Sequence, residues 1–180
     1  MRDAAQTLRE RFKHGPFVAG GHAMLSDPSI AEAMACFGYD FVWIDAEHGP
    51  YGLNQILASI TAVQGAGAAA LVRVVLNDTA FIKPVLEMGP DGIIIPQVLS
   101  AEDVQRAMDD CLYPPAGTRG FGPRRANRYA AVGDAEYLEQ VHRSFLRIVQ
   151  IEHVQAVRDI GRIVQVPYLD AIVIGPYDLS

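Results

Sequence analysis

The sequence predicts a parallel α/β fold, and three observations carry the prediction. Short apolar runs recur, each closed by polar residues. Phe41-Val42-Trp43-Ile44 runs into Asp45-Ala46-Glu47-His48, Ala70-Leu71-Val72 ends on Arg73, Ile148-Val149 on Gln150-Ile151-Glu152, and Ala171 to Ile174 on Gly175-Pro176-Tyr177-Asp178. Unbroken β-branched runs of this length suit strands covered on both faces, as in parallel sheets. Segments of helical length with capping residues separate them, which is the alternation of a βα architecture. Finally, the polar residues fall at strand carboxyl ends, where such sheets bind ligands.

Each element follows from local signals. Phe17 to Met24 reads as the first strand, followed by a turn at Ser26-Asp27-Pro28-Ser29 and a helix from about Ile30 to Phe37 that Gly38 ends. Phe41 to Ile44 is the second strand, Leu53 to Val63 a helix stopped by Gly65 and Gly67, and Ala69 to Val74 the third strand. Asn77-Asp78-Thr79 offers caps for a helix ending at Met88-Gly89, where glycine suits a left-handed position. Gly92 to Val98 is the fourth strand. Ser100-Ala101-Glu102-Asp103 has capping-box spacing with Asp in place of Glu or Gln, and a helix follows to Leu112. Leu146 to Ile151 and Ala171 to Ile174 are the fifth and sixth strands, with a helix between them ending near Gly161. Between Tyr113 and Gly133 the pattern lapses into a Pro-, Gly- and Arg-rich loop, and a loop this long in a compact domain is more often functional than idle.

The 180 residues read as one domain, 1–180, with no linker composition, repeat or low-complexity tract. About six strands are visible, against eight in a closed (β/α)8 barrel. The chain stops at the mouth of the sixth strand, so it is either a short open α/β sheet or a barrel missing its last quarter. A net charge of −6 and the lack of a basic tail argue against nucleic acid as a partner. The charged start, Met1-Arg2-Asp3-Ala4, has no apolar signal core, and no apolar stretch is long enough to span a bilayer, so a cytoplasmic protein is expected. Cys36 and Cys111 stand in no metal or redox spacing and read as buried thiols in a reducing compartment.

Four positions carry candidate chemistry. Of the five histidines, His48 is read as the one that ends a strand beside carboxylates, Asp45 and Glu47. A neighbouring carboxylate orients an imidazole and raises its basicity, as general-base work requires. The bland alternative is a surface-loop histidine. Arg73 is a guanidinium inside a β-branched run, costly to bury without a partner. It is either a structural ion pair with Glu87 or Glu47, or an anchor for a carboxylate or enolate oxygen. Glu152 and Asp178 terminate adjacent predicted strands. Together, beside Gln150, they suit a hard divalent cation such as Mg²⁺ or Mn²⁺, although either could simply cap the following helix. Arg119, Arg124, Arg125 and Arg128 are a solvated loop or an attractor for an anionic substrate. No GxGxxG or P-loop supports nucleotide binding. The two lysines, Lys13 and Lys83, do not sit at strand ends, which disfavours a Schiff base.

These segments, together with Ile95-Pro96-Gln97-Val98, Tyr113-Pro114-Pro115, Arg119-Gly120-Phe121-Gly122 and the terminal Asp178-Leu179-Ser180, resemble the HpcH/HpaI aldolase family over nearly the whole chain. The resemblance implies a (β/α)8 TIM barrel, of which about six β/α units are present, truncated at the carboxyl end. It implies a class II, metal-dependent lyase that splits a 4-hydroxy-2-oxo acid into pyruvate and an aldehyde. His48 matches the base, Arg73 the pyruvate anchor, and Glu152 and Asp178 the ligands of a divalent ion (Mg²⁺, Mn²⁺ or Co²⁺). Gln150 matches the polar residue beside the metal, Gly175, Pro176 and Tyr177 the segment that meets the pyruvate carboxylate, and Glu87 the carboxylate partner of the histidine. A homo-oligomer, hexameric in the full-length family, is also implied, and specificity is expected in the loop after Tyr113 and in the absent strands. The rival expectations are C–C bond chemistry on acyl-CoA or phosphoenolpyruvate-type substrates, and a catalytically inactive barrel fragment.

Overall fold

A computed structural model describes residues 4–15 and 17–179. Met1 to Asp3, which carry the charged amino-terminus, and Ser180, which ends the last motif, lie outside the described residues. Six strands form one sheet: β1 (Gly20–Ala23), β2 (Phe41–Asp45), β3 (Ala69–Arg73), β4 (Gly92–Ile95), β5 (Leu146–Ile151) and β6 (Ala171–Ile174). Every pair is parallel and each strand lies beside its neighbour in sequence, giving a curled half-barrel. A doubly wound sheet would reverse its strand order at a switch point, and this one does not.

The helices are α1 (Ala4–His14), α2 (Pro28–Cys36), α3 (Leu53–Gly65), α4 (Thr79–Glu87), α5 (Ala101–Cys111), α6 (Asp134–Val141), α7 (Val154–Arg158) and α8 (Ile160–Ile163). The predicted caps form. Asp27 accepts from Ser29 N at 2.9 Å with Pro28 in the first turn, and Asp78 accepts from Ala80 N at 2.7 Å. At α5, Ser100 Oγ accepts from Asp103 N at 3.2 Å, while the shorter Asp103 side chain accepts from Leu99 N at 2.9 Å rather than from the cap residue. Gly89 takes the left-handed conformation, φ +66°, after α4.

Some elements differ from the sequence reading. β1 is only four residues long, α3 runs through Gly65, and the helix before β6 breaks at Asp159 into α7 and α8. Neither α1 nor α6 was expected. Each buries only two side chains, Ala5 with Leu8 and Tyr137 with Val141, so their apolar periodicity is weak. Cys111 is buried, and burial pushes its thiol pKa up to about 12, but Cys36 is exposed, contrary to the expected burial of both. Among the described residues, no helix is long and apolar enough to cross a membrane.

Strand alternation divides the interior in two. Val42, Ile44, Ala70, Val72, Ile93, Ile95, Val149 and Ile151 pack outward against α2 to α8. Ala69, Leu71, Ile94, Leu146 and Ile148, with Trp43, Ala171 and Val173, form a second cluster on the inner face, to which α1 contributes Ala5 and Leu8. Arg9 of α1 pairs with Asp170 at 3.0 Å, just before β6, so α1 is tied down at the amino ends of the strands.

Candidate active site

At the carboxyl ends the inner face changes from apolar to polar. Alternation makes Asp45 follow Trp43, Arg73 follow Leu71 and Gln150 follow Ile148 on the same face. The β1–β2 register places His22 beside Trp43, and the β2–β3 register places Asp45 beside Arg73.

Asp45, fully buried, and Arg73, 5% exposed, form the centre. Arg73 Nε donates to Asp45 Oδ1 at 2.9 Å and Nη2 to Oδ2 at 2.5 Å, a two-pronged pair. The guanidinium also lies 5.0 Å above the Trp43 ring. His22 Nε2 approaches Asp45 Oδ2 at 2.9 Å, and the backbone N–H groups of Glu47 and His48 both donate to Oδ1 at 3.2 Å. Burial alone would raise the Asp45 pKa, but the hydrogen bonds from Arg73, His22 and His48 N–H outweigh it and hold the carboxyl below its usual value. Arg73 is therefore both ion-paired and presented to the site, and its partners are Asp45 and Glu47 rather than Glu87.

A closed circuit of polar contacts runs on from Arg73 across four strands. Arg73 Nη1 donates to Gln150 Oε1 at 3.0 Å, and Gln150 Nε2 donates to Glu152 Oε2. Glu152 Oε1 accepts from Gln97 N at 2.7 Å, and Gln97 Nε2 donates to Glu47 Oε1 at 3.0 Å. Glu47 Oε2 closes the circuit 3.0 Å from Arg73 Nη1. Burial pushes the Glu47 pKa up, with the charge of Glu152 adding to the rise and Gln97, Arg73 and His48 opposing it. Gln97 adopts φ +59°, the left-handed region that non-glycine residues avoid, and such strain concentrates at functional sites. Gln97 and His22 were not singled out from the sequence. The signal for Gln97 was a polar residue closing the β4 run; His22 sits within a strand too short to show a pattern.

His48 occupies the turn after β2 with its side chain 58% exposed, its Nε2 3.8 Å from Glu47 Oε2. It is thus open to ligand and loosely held. After β6, Gly175 N donates to Ile151 O at 2.9 Å, which brings this backbone against Gln150 and Glu152. A Cβ on Gly175 would lie 2.9 Å from Gln150 Nε2 and 3.0 Å from Glu152 Cβ, so the close approach needs glycine. Pro176, Tyr177 and Asp178 follow in an exposed turn.

The donor set suits a hard cation. Glu152 is buried at the site, and each of its oxygens keeps a lone pair beyond the hydrogen bond it accepts. The Gly175 cradle leads to Asp178 three residues on. Among the described residues, no three His, Cys, Asp or Glu side chains are gathered into a ligand set. A buried glutamate with lone pairs to spare is the kind of hard oxygen donor that Mg²⁺ or Mn²⁺ takes, while Asp178 lies in the exposed turn.

Two expectations are corrected. Glu87 is not beside His48. It ends α4, on the side where β4 begins, and pairs with Arg119 Nη2 at 2.9 Å. The arginine-rich loop belongs to that same side. Arg119 stacks over Tyr113 at 4.5 Å, and Arg125 donates to Met88 O at 2.9 Å after α4. These contacts anchor the loop at the strands' amino ends, opposite the polar circuit, so within this chain neither the arginine cluster nor the loop after Tyr113 borders the mouth.

The profile of a family described as HpcH/HpaI aldolase/citrate lyase matches residues 19–180. A 4-hydroxy-2-oxovalerate aldolase of Novosphingobium aromaticivorans is 36% identical over 181 residues, covering 100% of this chain and 68% of the relative. A hydroxypyruvate/pyruvate aldolase of Pseudomonas aeruginosa is 34% identical over 96% of this chain and 65% of the relative. The crystal structure of an HpcH/HpaI aldolase/citrate lyase family protein from Burkholderia cenocepacia superposes with a TM-score of 0.90 at 28% identity, over 97% of this chain and 70% of that one. The chain thus spans about two thirds of the length of the curated relatives it matches.

Proposed function

The chain belongs to the HpcH/HpaI aldolase/citrate lyase family, and from that premise we propose that it serves a carbon–carbon lyase splitting a 4-hydroxy-2-oxo acid reversibly into pyruvate and an aldehyde. The observation that carries this reading is the buried Arg73, fixed by Asp45 and Gln150 beside the Glu152 carboxylate. This constellation matches a 2-oxo acid, whose oxygens need a fixed cation and a Lewis acid. Glu152 and Asp178 would hold the divalent ion, Mg²⁺, Mn²⁺ or Co²⁺, which supplies Lewis-acid chemistry at those oxygens. Arg73 faces the oxygen that gains charge as the C3–C4 bond breaks, a preorganised donor already in place before reaction. The backbone from Gly175 to Tyr177 receives the carboxylate. His48, exposed and carrying no tight partner, takes the C4 hydroxyl proton, through a water where the side chain does not reach.

Aldolase names among the relatives support aldol chemistry over acyl-CoA or phosphoenolpyruvate chemistry. As part of the same proposal, residues 1–180 form six units of a single (β/α)8 barrel domain in a cytoplasmic homo-oligomer. The test is pyruvate release from 4-hydroxy-2-oxovalerate. Chelation should abolish it, and Mg²⁺, Mn²⁺ or Co²⁺ should restore it. Full activity after exhaustive chelation, or trapping by borohydride, overturns the class II assignment.

A further inference from the structure

The reaction proposed above moves two protons at two different atoms. One leaves the C4 hydroxyl, and one arrives at C3 of the enolate. His48 serves the first, and nothing assigned so far serves the second. We infer that His22 is the acid–base residue of the carbon end of the reaction, oriented by Asp45; the inference rests on the aldolase reading.

The geometry defines what His22 offers. Asp45 is held as a carboxylate and has no proton to give. The 2.9 Å contact must therefore be donated by His22 Nε2–H, which fixes the neutral tautomer and leaves the lone pair on Nδ1. The ring lies against Trp43, centroids 5.0 Å apart, and its side chain stays 44% exposed although its partner carboxylate is fully buried. Its partner is closer than that of His48, 2.9 Å against 3.8 Å. Asp45 Oδ1 accepts from Arg73 Nε, Glu47 N and His48 N, and Oδ2 from Arg73 Nη2, so the carboxylate is held in place from three sides and His22 takes the acceptor position left on Oδ2. Arg73 Nη2 and His22 Nε2 meet on the same Asp45 oxygen. A 2-oxo acid anchored on Arg73 is then a neighbour of the imidazole.

The step balances. The imidazolium Nδ1–H bond breaks as a C3–H bond forms from the enolate electron pair, and the C2–O charge collapses to the carbonyl. Neutral imidazole then takes a proton from water. In reverse, Nδ1 removes a methyl proton from pyruvate, so pyruvate alone in D₂O should exchange its methyl hydrogens.

The experiment uses the full chain with Mn²⁺ and follows pyruvate methyl exchange by NMR. Pyruvate binding is read from the fluorescence of Trp43, the single tryptophan, which touches both His22 and Arg73. His22→Gln keeps an N–H donor for Asp45 but has no base. It should bind pyruvate with the wild-type midpoint and exchange about 100-fold more slowly, in the usual range for a lost general acid–base group. Exchange at the wild-type rate overturns the inference, and so does a loss of pyruvate binding, which would make His22 a positioning residue only. Should His22→Gln not fold, His22→Ala carries the test. Exchange restored by added imidazole supports the inference, and exchange that stays lost with pyruvate bound overturns it. A wild type that neither cleaves substrate nor exchanges pyruvate overturns the aldolase reading as a whole, whereas wild-type exchange in His22→Gln overturns this step alone.

Discussion

Asp45→Asn is the substitution for which the structure makes the sharpest demand. It leaves shape almost unchanged and removes one charge from the fully buried end of a two-pronged pair with Arg73. Removing one member of a buried ion pair typically costs about 3–5 kcal/mol, because the other charge stays desolvated. Glu47, 3.0 Å from Arg73 Nη1, offsets part of the loss. The new amide NH₂, in place of either oxygen, opposes an Arg73 N–H, so at least one donor also goes unpaired. A destabilisation of about 3 kcal/mol follows from these contributions. For a chain of this size that lowers Tm by roughly 6–12 °C. Urea denaturation followed by Trp43 fluorescence measures it, with the slope m unchanged. The Asp45 pKa is lowered on folding, so its stabilisation is present above the ordinary aspartate value of 3.8 and is lost as pH falls through the folded value. The gap between wild type and variant should therefore close in acid. A cost under about 1 kcal/mol at neutral pH, as for an exposed pair, would refute the reasoning.

Glu47→Gln should act in the opposite sense. The folded pKa of Glu47 is raised above 4.5, so its charge costs stability as pH rises through that folded value. The variant should gain stability near neutral pH and match wild type in acid, as pH-dependent denaturation would reveal. At Gln97, φ +59° penalises alanine but not glycine, so Gln97→Gly should be about 1 kcal/mol more stable than Gln97→Ala. Both should lose activity, because each removes the bond to Glu47. His48→Ala should lower kcat for cleavage by about 10²-fold or more, while leaving the Mn²⁺ binding midpoint by calorimetry unaltered. Wild-type turnover would mean that another group is the base.

The parallel sheet was legible because β2, β3, β5 and β6 are short, largely apolar runs, and the structure bounds them within a residue of the sequence reading. Capping residues Asp27, Asp78 and Ser100 were legible for a related reason: capping is local chemistry. The misses have physical causes as well. α1 and α6 bury too little to impose a period. Glu87 lies 14 positions after Arg73, but an intervening helix runs antiparallel to the strands and returns it to the opposite end of the sheet. His22 was hidden because its partner lies on another strand, so only the register shows the pair. Sequence reasoning found residues at strand ends; it had no means of finding the Gln97 link, which depends on a backbone angle.

The two-sided interior described above also bears on how this protein can change. Along β2, Val42 and Ile44 hold helices to the sheet, while Trp43 and Asp45 face the inner side and contact Arg73. Adjacent letters of one strand therefore answer to different selective demands, and a substitution on the inner face need not disturb the larger outer core. New specificity can arise by exchanging every second residue while the scaffold stays intact. The exception is the polar circuit from Arg73 to Glu47, whose members are joined across four strands, so that a change at one of them is felt by its partners on the others.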